Sequence, residues 1–243
     1  MPRNPSEWEL NIKRQIRRRY TEQNNSGGLH SDAKLKLKLY GYPQALIDKL
    51  PKELINRFSG CGCPITELHL LGHETIIDLG AGAGIDSFLL ALSLDSGKVI
   101  SLDLSPISLS TFGKHLETLP VYPVSGDIER IPLADEIADI VICNTALNLT
   151  IDKATAINEI FRLLKPGSIF LATDLVSDMP LPREVIENPL AHTTSLGGIT
   201  TERNISRLLE KTGFKNITIS GHEYEEFATR ITIKAVKLSQ SLG

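Results

Sequence analysis

Cysteine is scarce in this chain. There are three in 243 residues, Cys61, Cys63 and Cys143, an odd number that leaves at least one thiol unpaired within the molecule. This argues against a disulfide-stapled scaffold and fits free thiols in a reducing compartment, so a cytoplasmic location is expected. Long apolar runs are missing as well. No window approaches the roughly 18 uninterrupted apolar residues that a membrane-crossing helix needs. The opening residues, Met1 to Leu10, lack the apolar centre of a secretion signal, and no membrane partner is expected. Neither sign of charge is in excess. The formal net charge is −3, so no overall field draws the chain toward nucleic acid, and a nucleic-acid partner is not expected. Repeats and low-complexity tracts are absent. What remains is an ordinary globular composition, 41% hydrophobic and 23% charged. The chain is long enough to bury a sizeable core as one domain with additions.

Against that background one stretch is distinctive: Ile76-Ile77-Asp78-Leu79-Gly80-Ala81-Gly82-Ala83-Gly84. β-branched residues lead into an acid and then three glycines at alternate positions. This reads as a buried strand running into a turn whose backbone passes close to a ligand, where a Cβ would be in the way. Helical apolar spacing resumes from Ile85 to Leu94. Strand, glycine turn and helix form the first half of a nucleotide-binding βαβ unit. The dinucleotide fingerprint needs a small residue where Ile85 stands, and a P-loop needs Lys-Ser/Thr where Ile85-Asp86 stand. Asp78 would repel a phosphate and suits a cation such as an ammonium or sulfonium.

Five apolar runs alternate with helical segments from about Glu74 to Val176, which predicts a parallel sheet. The second run, Lys98 to Asp103, ends in a carboxylate able to accept two ribose hydroxyls. The alternative for Asp103 is a turn or cap residue, because Ser105-Pro106 opens a predicted helix. Ser125-Gly126-Asp127-Ile128 follows the third run, and Ala138 to Asn144 is the fourth. Arg162 to Gly167 reads as a helix end and turn, with a late cation and Pro-Gly as the stop. Residues 177–200 are rich in proline and glycine and break the alternation. A helix over 201–213 and strands over 215–221 and 227–237 complete the pattern.

Together these motifs resemble class I S-adenosylmethionine-dependent methyltransferases. The resemblance implies an α/β fold with a doubly wound, Rossmann-like seven-stranded sheet in the order 3-2-1-4-5-7-6. It implies that Gly80, Ala81, Gly82 and Gly84 carry the cofactor S-adenosyl-L-methionine and that Asp78 faces its ammonium. Asp103 and Leu104 would then meet the ribose, Asp127 and Ile128 the adenine, and Asn144 the transferring methyl. Residues 71–243 would form this domain, with 177–200 as a substrate-covering lid insertion. Residues 1–70 would form an N-terminal helical extension and cap.

Narrower pieces resemble arsenite methyltransferases: Ser59-Gly-Cys-Gly-Cys-Pro64, the glycine loop followed by Asp86, and Asn144-Thr-Ala-Leu-Asn-Leu-Thr-Ile-Asp-Lys153. That family holds trivalent arsenic with three thiolates, soft ligands for a soft centre. One thiolate position carries over to Cys61. The other two fall on Thr145 and near Thr194, and a hydroxyl cannot replace a thiolate. Cys143, two residues before Thr145, would share its strand face and pack inside. Cys61 and Cys63 alone are too few for a metal clip, and no metal site is expected.

The expected function is methyl transfer to a small-molecule acceptor other than arsenite. Arsenite methylation, a quinone-type carbon methyltransferase and a non-catalytic cofactor-binding module stay open. So does an RNA-modifying enzyme, which would use the basic residues Lys13 to Arg19. Cys61, Asn144 and His192 are the catalytic candidates, and no general base is assigned. His192 reads as a solvated loop histidine. Trp8, Ile12 and Ile16 recur every fourth residue, which predicts an amphipathic helix over 6–22 whose basic face is solvated. Glu22 to Asp32 reads as a loop, and Tyr40 to Phe58 as one short helix. A monomer and a homodimer fit the sequence equally.

Overall fold

The computed structural model describes residues 5–25, 33–105, 118–193, 196–225 and 227–239. Strands β1 (Thr75–Leu79), β2 (Lys98–Asp103), β3 (Val121–Ser125), β4 (Ala138–Asn144) and β5 (Leu164–Ser177) are followed by β6 (Thr200–Thr201), β7 (Lys215–Glu225) and β8 (Ala228–Val236). They form one sheet in the order β3-β2-β1-β4-β5-β8-β7, with β6 paired to β5. The first five strands run parallel, and β8 returns antiparallel to β5 and β7. The expected seven strands become eight. The addition is β6, whose two residues pair with Val176 and Ser177 and are too short to leave an apolar pattern. Skipping β6, the seven long strands keep the expected order.

Successive side chains of a strand point to opposite faces, and β1 shows the result. Ile76 packs in one core and Ile77 in the other, both with no exposed surface. The first core also takes Leu37, Ile47 and Leu54 from the N-terminal segment, together with Phe88 and Leu89 of α3 (Ile85–Ala91). The second is closed by Ile157 and Ile160 of α4 (Lys153–Leu163) and by Ile205 and Leu209 of α6 (Glu202–Thr212). α4 starts on Asp152, which accepts the Thr155 N–H, and α6 starts on Thr201.

The N-terminal region holds α1 (Glu7–Asn25) and α2 (Ala33–Leu39), and α2 was not anticipated. The single helix expected over Tyr40 to Phe58 is two isolated turns, Gln44–Ile47 and Lys52–Ile55. Pro51 divides them, because it lacks an N–H and holds Leu50 out of helical geometry. β5 begins at Leu164, directly after α4, and the expected turn lies within it: Gly167 has φ +89, and the register with β4 shifts between Leu164 and Ile169. The helix expected from Ser105-Pro106 lies outside the described residues. Among those described, no helix is long and apolar enough to cross a membrane.

The strand order reverses between β1 and β4. In an open α/β sheet, ligands bind in the crevice beyond the carboxyl ends of the strands at such a reversal. Gly80 and Asn144 stand at the ends of those two strands.

Candidate active site

The loop after β1 is pinned to β2. The Gly80 and Ala81 N–H groups both donate to the Leu102 carbonyl, at 2.8 and 3.0 Å. Gly80 has φ +72, and a Cβ there would lie 2.3 Å from the Ala146 Cβ. The glycine is therefore required by both conformation and space. The Gly82 N–H donates to Asp103 Oδ2 at 2.9 Å, and the Ser105 N–H donates to Asp103 Oδ1 at 2.7 Å. Burial raises the pKa of Asp103 despite those two bonds. Asp103 is thus fixed by backbone at the tip of β2, one edge of a cavity that opens to solvent.

Of the residues selected from sequence, Gly80, Gly82, Asp103 and Leu104 line that cavity, as do Asp127, Ile128 and Asn144. Asp78, Ala81 and Gly84 line a smaller recess beside it, which shares Gly80, Gly82 and Asn144 and adds Arg57. Asp78 is buried and accepts a hydrogen bond from Ser87 Oγ at 2.6 Å. Burial, and then the nearby charge of Asp86, pushes its pKa up. Burial also raises Asp86, against hydrogen bonds from Tyr42 and Asn144. Neither carboxylate has an ion-pair partner among the described residues. Two desolvated acids without a cation favour either a proton or a bound cationic group.

Asn144 is the hub of the other end. Its amide nitrogen donates to Asp86 Oδ2 at 2.9 Å and to the Gly62 carbonyl at 2.8 Å. Its oxygen accepts from the N–H groups of Cys61 and Gly62 and from the Thr173 hydroxyl. A Cβ at Gly62 would meet Thr173 at 2.8 Å, so the loop lies flat against β4 and β5. The Cys61 N–H also donates to Thr145 Oγ1 at 2.6 Å, and the Cys61 carbonyl accepts from Arg230 of β8. Cys61 and Thr145, far apart in sequence, are therefore neighbours.

Three expectations need correction. Thr145 does not share a strand face with Cys143: β4 ends at Asn144, and Thr145 turns with φ +60. Cys143 is fully buried, as expected, and its thiol pKa is raised by burial. Cys63 is buried in the opposite core, its thiol raised by burial and then by Asp86. His192, on the short helix α5 (Pro189–Thr193), is not solvated. It is only 3% exposed, its Nε2 lies 2.7 Å from the Ile186 carbonyl, and Trp8 meets its ring edge-on at 5.6 Å. It lines a separate cavity with Trp8 and Lys153, away from the glycine loop. The basic face of α1 is also not wholly solvated, because Lys13 bonds Asp127 and Glu129. Thr194 lies outside the described residues. Among those described, no cluster of three His, Cys, Asp or Glu side chains could hold a metal ion.

Sequence reasoning missed Lys13, Ile16, Arg17 and Tyr20, which line the main cavity from α1. It noted Asp86 but assigned it no role. The helical spacing of the α1 residues was visible in the sequence, but the surface they face was not.

The sheet order and the cavity at its reversal define a Rossmann-like α/β protein. A model of the methyltransferase domain matches residues 71–213, over half of the sequence, and the chain belongs to that family. It is 32% identical over 165 residues to the arsenite methyltransferase of Halobacterium salinarum, covering 66% of this chain and 42% of that one. It is 29% identical over 180 residues to the arsenite methyltransferase of Aquipseudomonas alcaligenes, covering 70% and 51%. The chain thus spans about half the length of the curated relatives it matches. The crystal structure of an arsenic(III) S-adenosylmethionine methyltransferase from Chlamydomonas reinhardtii superposes with a TM-score of 0.65 at 25% identity, covering 82% of this chain and 74% of that one.

Proposed function

We propose that this chain transfers a methyl group from S-adenosyl-L-methionine to a small-molecule acceptor other than arsenite. The residues fit that cofactor. Bare backbone at Gly80 and Gly82 adjoins Asp103, and the desolvated Asp78 adjoins the same loop. On this reading Asp78 receives the ammonium, Asp103 and Leu104 the ribose, and Asp127 with Ile128 the adenine. Gly80, Ala81, Gly82 and Gly84 offer close backbone. When bound, the cofactor supplies a methyl group already activated on a sulfonium. The protein's own part is then alignment and exclusion of water. Orientation of two reactants can supply up to about 7–11 kcal/mol of the barrier, and a desolvated site favours dispersal of the sulfonium charge. Asn144 contributes by holding the Cys61 loop against β4.

The observation that carries the acceptor assignment is the Cys61–Thr145 contact. A hydroxyl bonded to the backbone N–H of Cys61 at 2.6 Å stands where the resemblance calls for a second thiolate, and it is a poor ligand for a soft centre. Cys63 and Cys143 are packed in opposite cores and do not make up the loss. Calorimetry with S-adenosylhomocysteine, followed by its release assayed with arsenite and with fractionated metabolites, tests both halves. Binding, with turnover on an organic fraction and none on arsenite, is expected. Absence of binding would remove the cofactor reading. Efficient turnover of arsenite would replace the acceptor assignment.

A further inference from the structure

The inner face of α1 reaches the cavity of the glycine loop. Lys13, Ile16, Arg17 and Tyr20 line it, at a spacing that puts all four on one side of a helix. Lys13 Nζ lies 2.6 Å from Asp127 Oδ2 and 2.7 Å from Glu129 Oε2. The three side chains are 18%, 29% and 11% exposed, which shelters them relative to an open surface pair. Burial alone would lower the Lys13 pKa, but the bonds to Asp127 and Glu129 outweigh it and raise it. The other oxygen of Glu129 accepts the Ile151 and Asp152 N–H groups at the start of α4. The other oxygen of Asp127 accepts the Glu129 N–H at 2.9 Å. Both carboxylates are thus held from two sides.

α1 is tied down on either side of Lys13. Trp8 Nε1 donates to the Glu187 carbonyl, and its ring meets His192. Thr21 Oγ1 lies 2.9 Å from Ser105 Oγ, two residues beyond Asp103. Between these ties, Ile16 lines the cavity that Ile128 also lines.

We propose that Lys13 is a positioning residue for the nucleoside half of the cofactor, fixing Asp127 and holding α1 as the outer wall of that site. This rests on the cofactor reading above and extends it to a helix outside the glycine-loop motifs. A carboxylate fixed on both oxygens is a preset acceptor for an exocyclic amine, with no ordering cost left at binding. Aliphatic side chains from α1 and from the loop after β3 suit the apolar faces of a base. Because α1 forms one wall of the cavity, loosening the Lys13 pair should speed release of the ligand.

The test compares the wild-type chain with Lys13→Met and Lys13→Arg, using two probes. S-Adenosylhomocysteine carries both halves of the cofactor, whereas 5′-methylthioadenosine keeps the nucleoside and lacks the amino acid. Lys13→Met should weaken both probes by the same factor, about tenfold, the scale of one lost charge-assisted hydrogen bond at a partly exposed site. It should do so through faster dissociation, and Lys13→Arg should restore most of the loss. Circular dichroism checks that the variants are folded. A folded Lys13→Met that binds both probes as the wild type does, or that weakens S-adenosylhomocysteine alone, would overturn the proposal. Should Lys13→Met not fold, Trp8→Ala frees the other tie of α1. It should speed release of both probes, and unchanged rates would count against the proposal. A wild-type chain that binds neither probe would fail at the cofactor reading itself, and the Lys13 role would fall with it.

Discussion

The two ends of the cavity are built differently. The end at β1 and β2 is made of main chain: N–H groups of Gly80, Ala81 and Gly82 bond Leu102 and Asp103 within one βαβ unit. The end at β4 is made of side chains from distant segments. Tyr42, Asn144, Thr145, Thr173 and Arg230 converge on the loop around Cys61. A backbone cradle admits few sequences, so it stays recognisable across a family. A side-chain cluster can change one residue at a time, as a substitution at Thr145 would. If the proposed roles of the two ends hold, cofactor and acceptor specificity can be altered separately in this fold.

That separation can be attacked at its strongest point first. Gly80→Val forces a side chain into the Ala146 Cβ from a left-handed backbone. We expect about 1–3 kcal/mol of lost stability and roughly hundredfold weaker S-adenosylhomocysteine binding, a loss of about 2.8 kcal/mol. Thermal unfolding and calorimetry measure the two effects. At the other end, Asn144→Leu strands the Gly62 N–H and carbonyl groups and removes one hydrogen bond to Asp86. Each buried group left without a partner costs about 1–3 kcal/mol. Turnover should collapse while S-adenosylhomocysteine affinity changes only severalfold. Equal losses in both assays would show that the two ends are one unit.

Protonation gives a subtler probe. Asp78 is raised by burial and then by Asp86 from 3.8 to about 8. A carboxyl whose folded pKa is raised binds protons more tightly than the unfolded chain does. The stability of the ligand-free protein should therefore fall as pH climbs from about 4 through about 8. Affinity for S-adenosylhomocysteine should rise over the same window, because ionised Asp78 attracts its ammonium. Asp78→Asn should lessen both slopes, leaving the part of the stability slope that the other raised acids Asp86, Asp103 and Asp174 contribute, and opposite slopes in the wild type would refute the assignment of Asp78. The smallest expected effect is a gain. Thr145→Cys sets a second thiol beside Cys61 and should bring weak arsenite binding, seen as protection of both thiols from alkylation. Unprotected thiols would mean that the Cys61–Thr145 contact is not the relevant geometry.

The parts legible in the sequence are those encoded locally. β1, the glycine turn and α3 follow one another without a gap, and the capped ends of α6 at Thr201 and Gly213 were readable as a helix over 201–213. Asp103, Asp127 and Asn144 could be placed because each ends or follows an apolar strand. What escaped depends on contacts between distant segments. The spacing of Lys13 and Ile16 indicated a helix but not the acids opposite it. Thr145 looked like a continuation of β4, because nothing in Asn144-Thr145 signals a left-handed turn at a β-branched residue. His192 looked exposed among prolines and glycines, but Trp8 from a far segment and the Ile186 carbonyl and Gly197 nearby bury it.

Arg230 joins the last hairpin to this account. Its guanidinium holds the Cys61 carbonyl, pairs with Glu223 and lies 4.9 Å over the Tyr40 ring. The closing strands thus act as a brace on the loop around Cys61 from 169 residues away in sequence. Removing the guanidinium by Arg230→Met, or weakening the hairpin by insertion at its bend, would slacken the loop around Cys61 while leaving the glycine cradle intact.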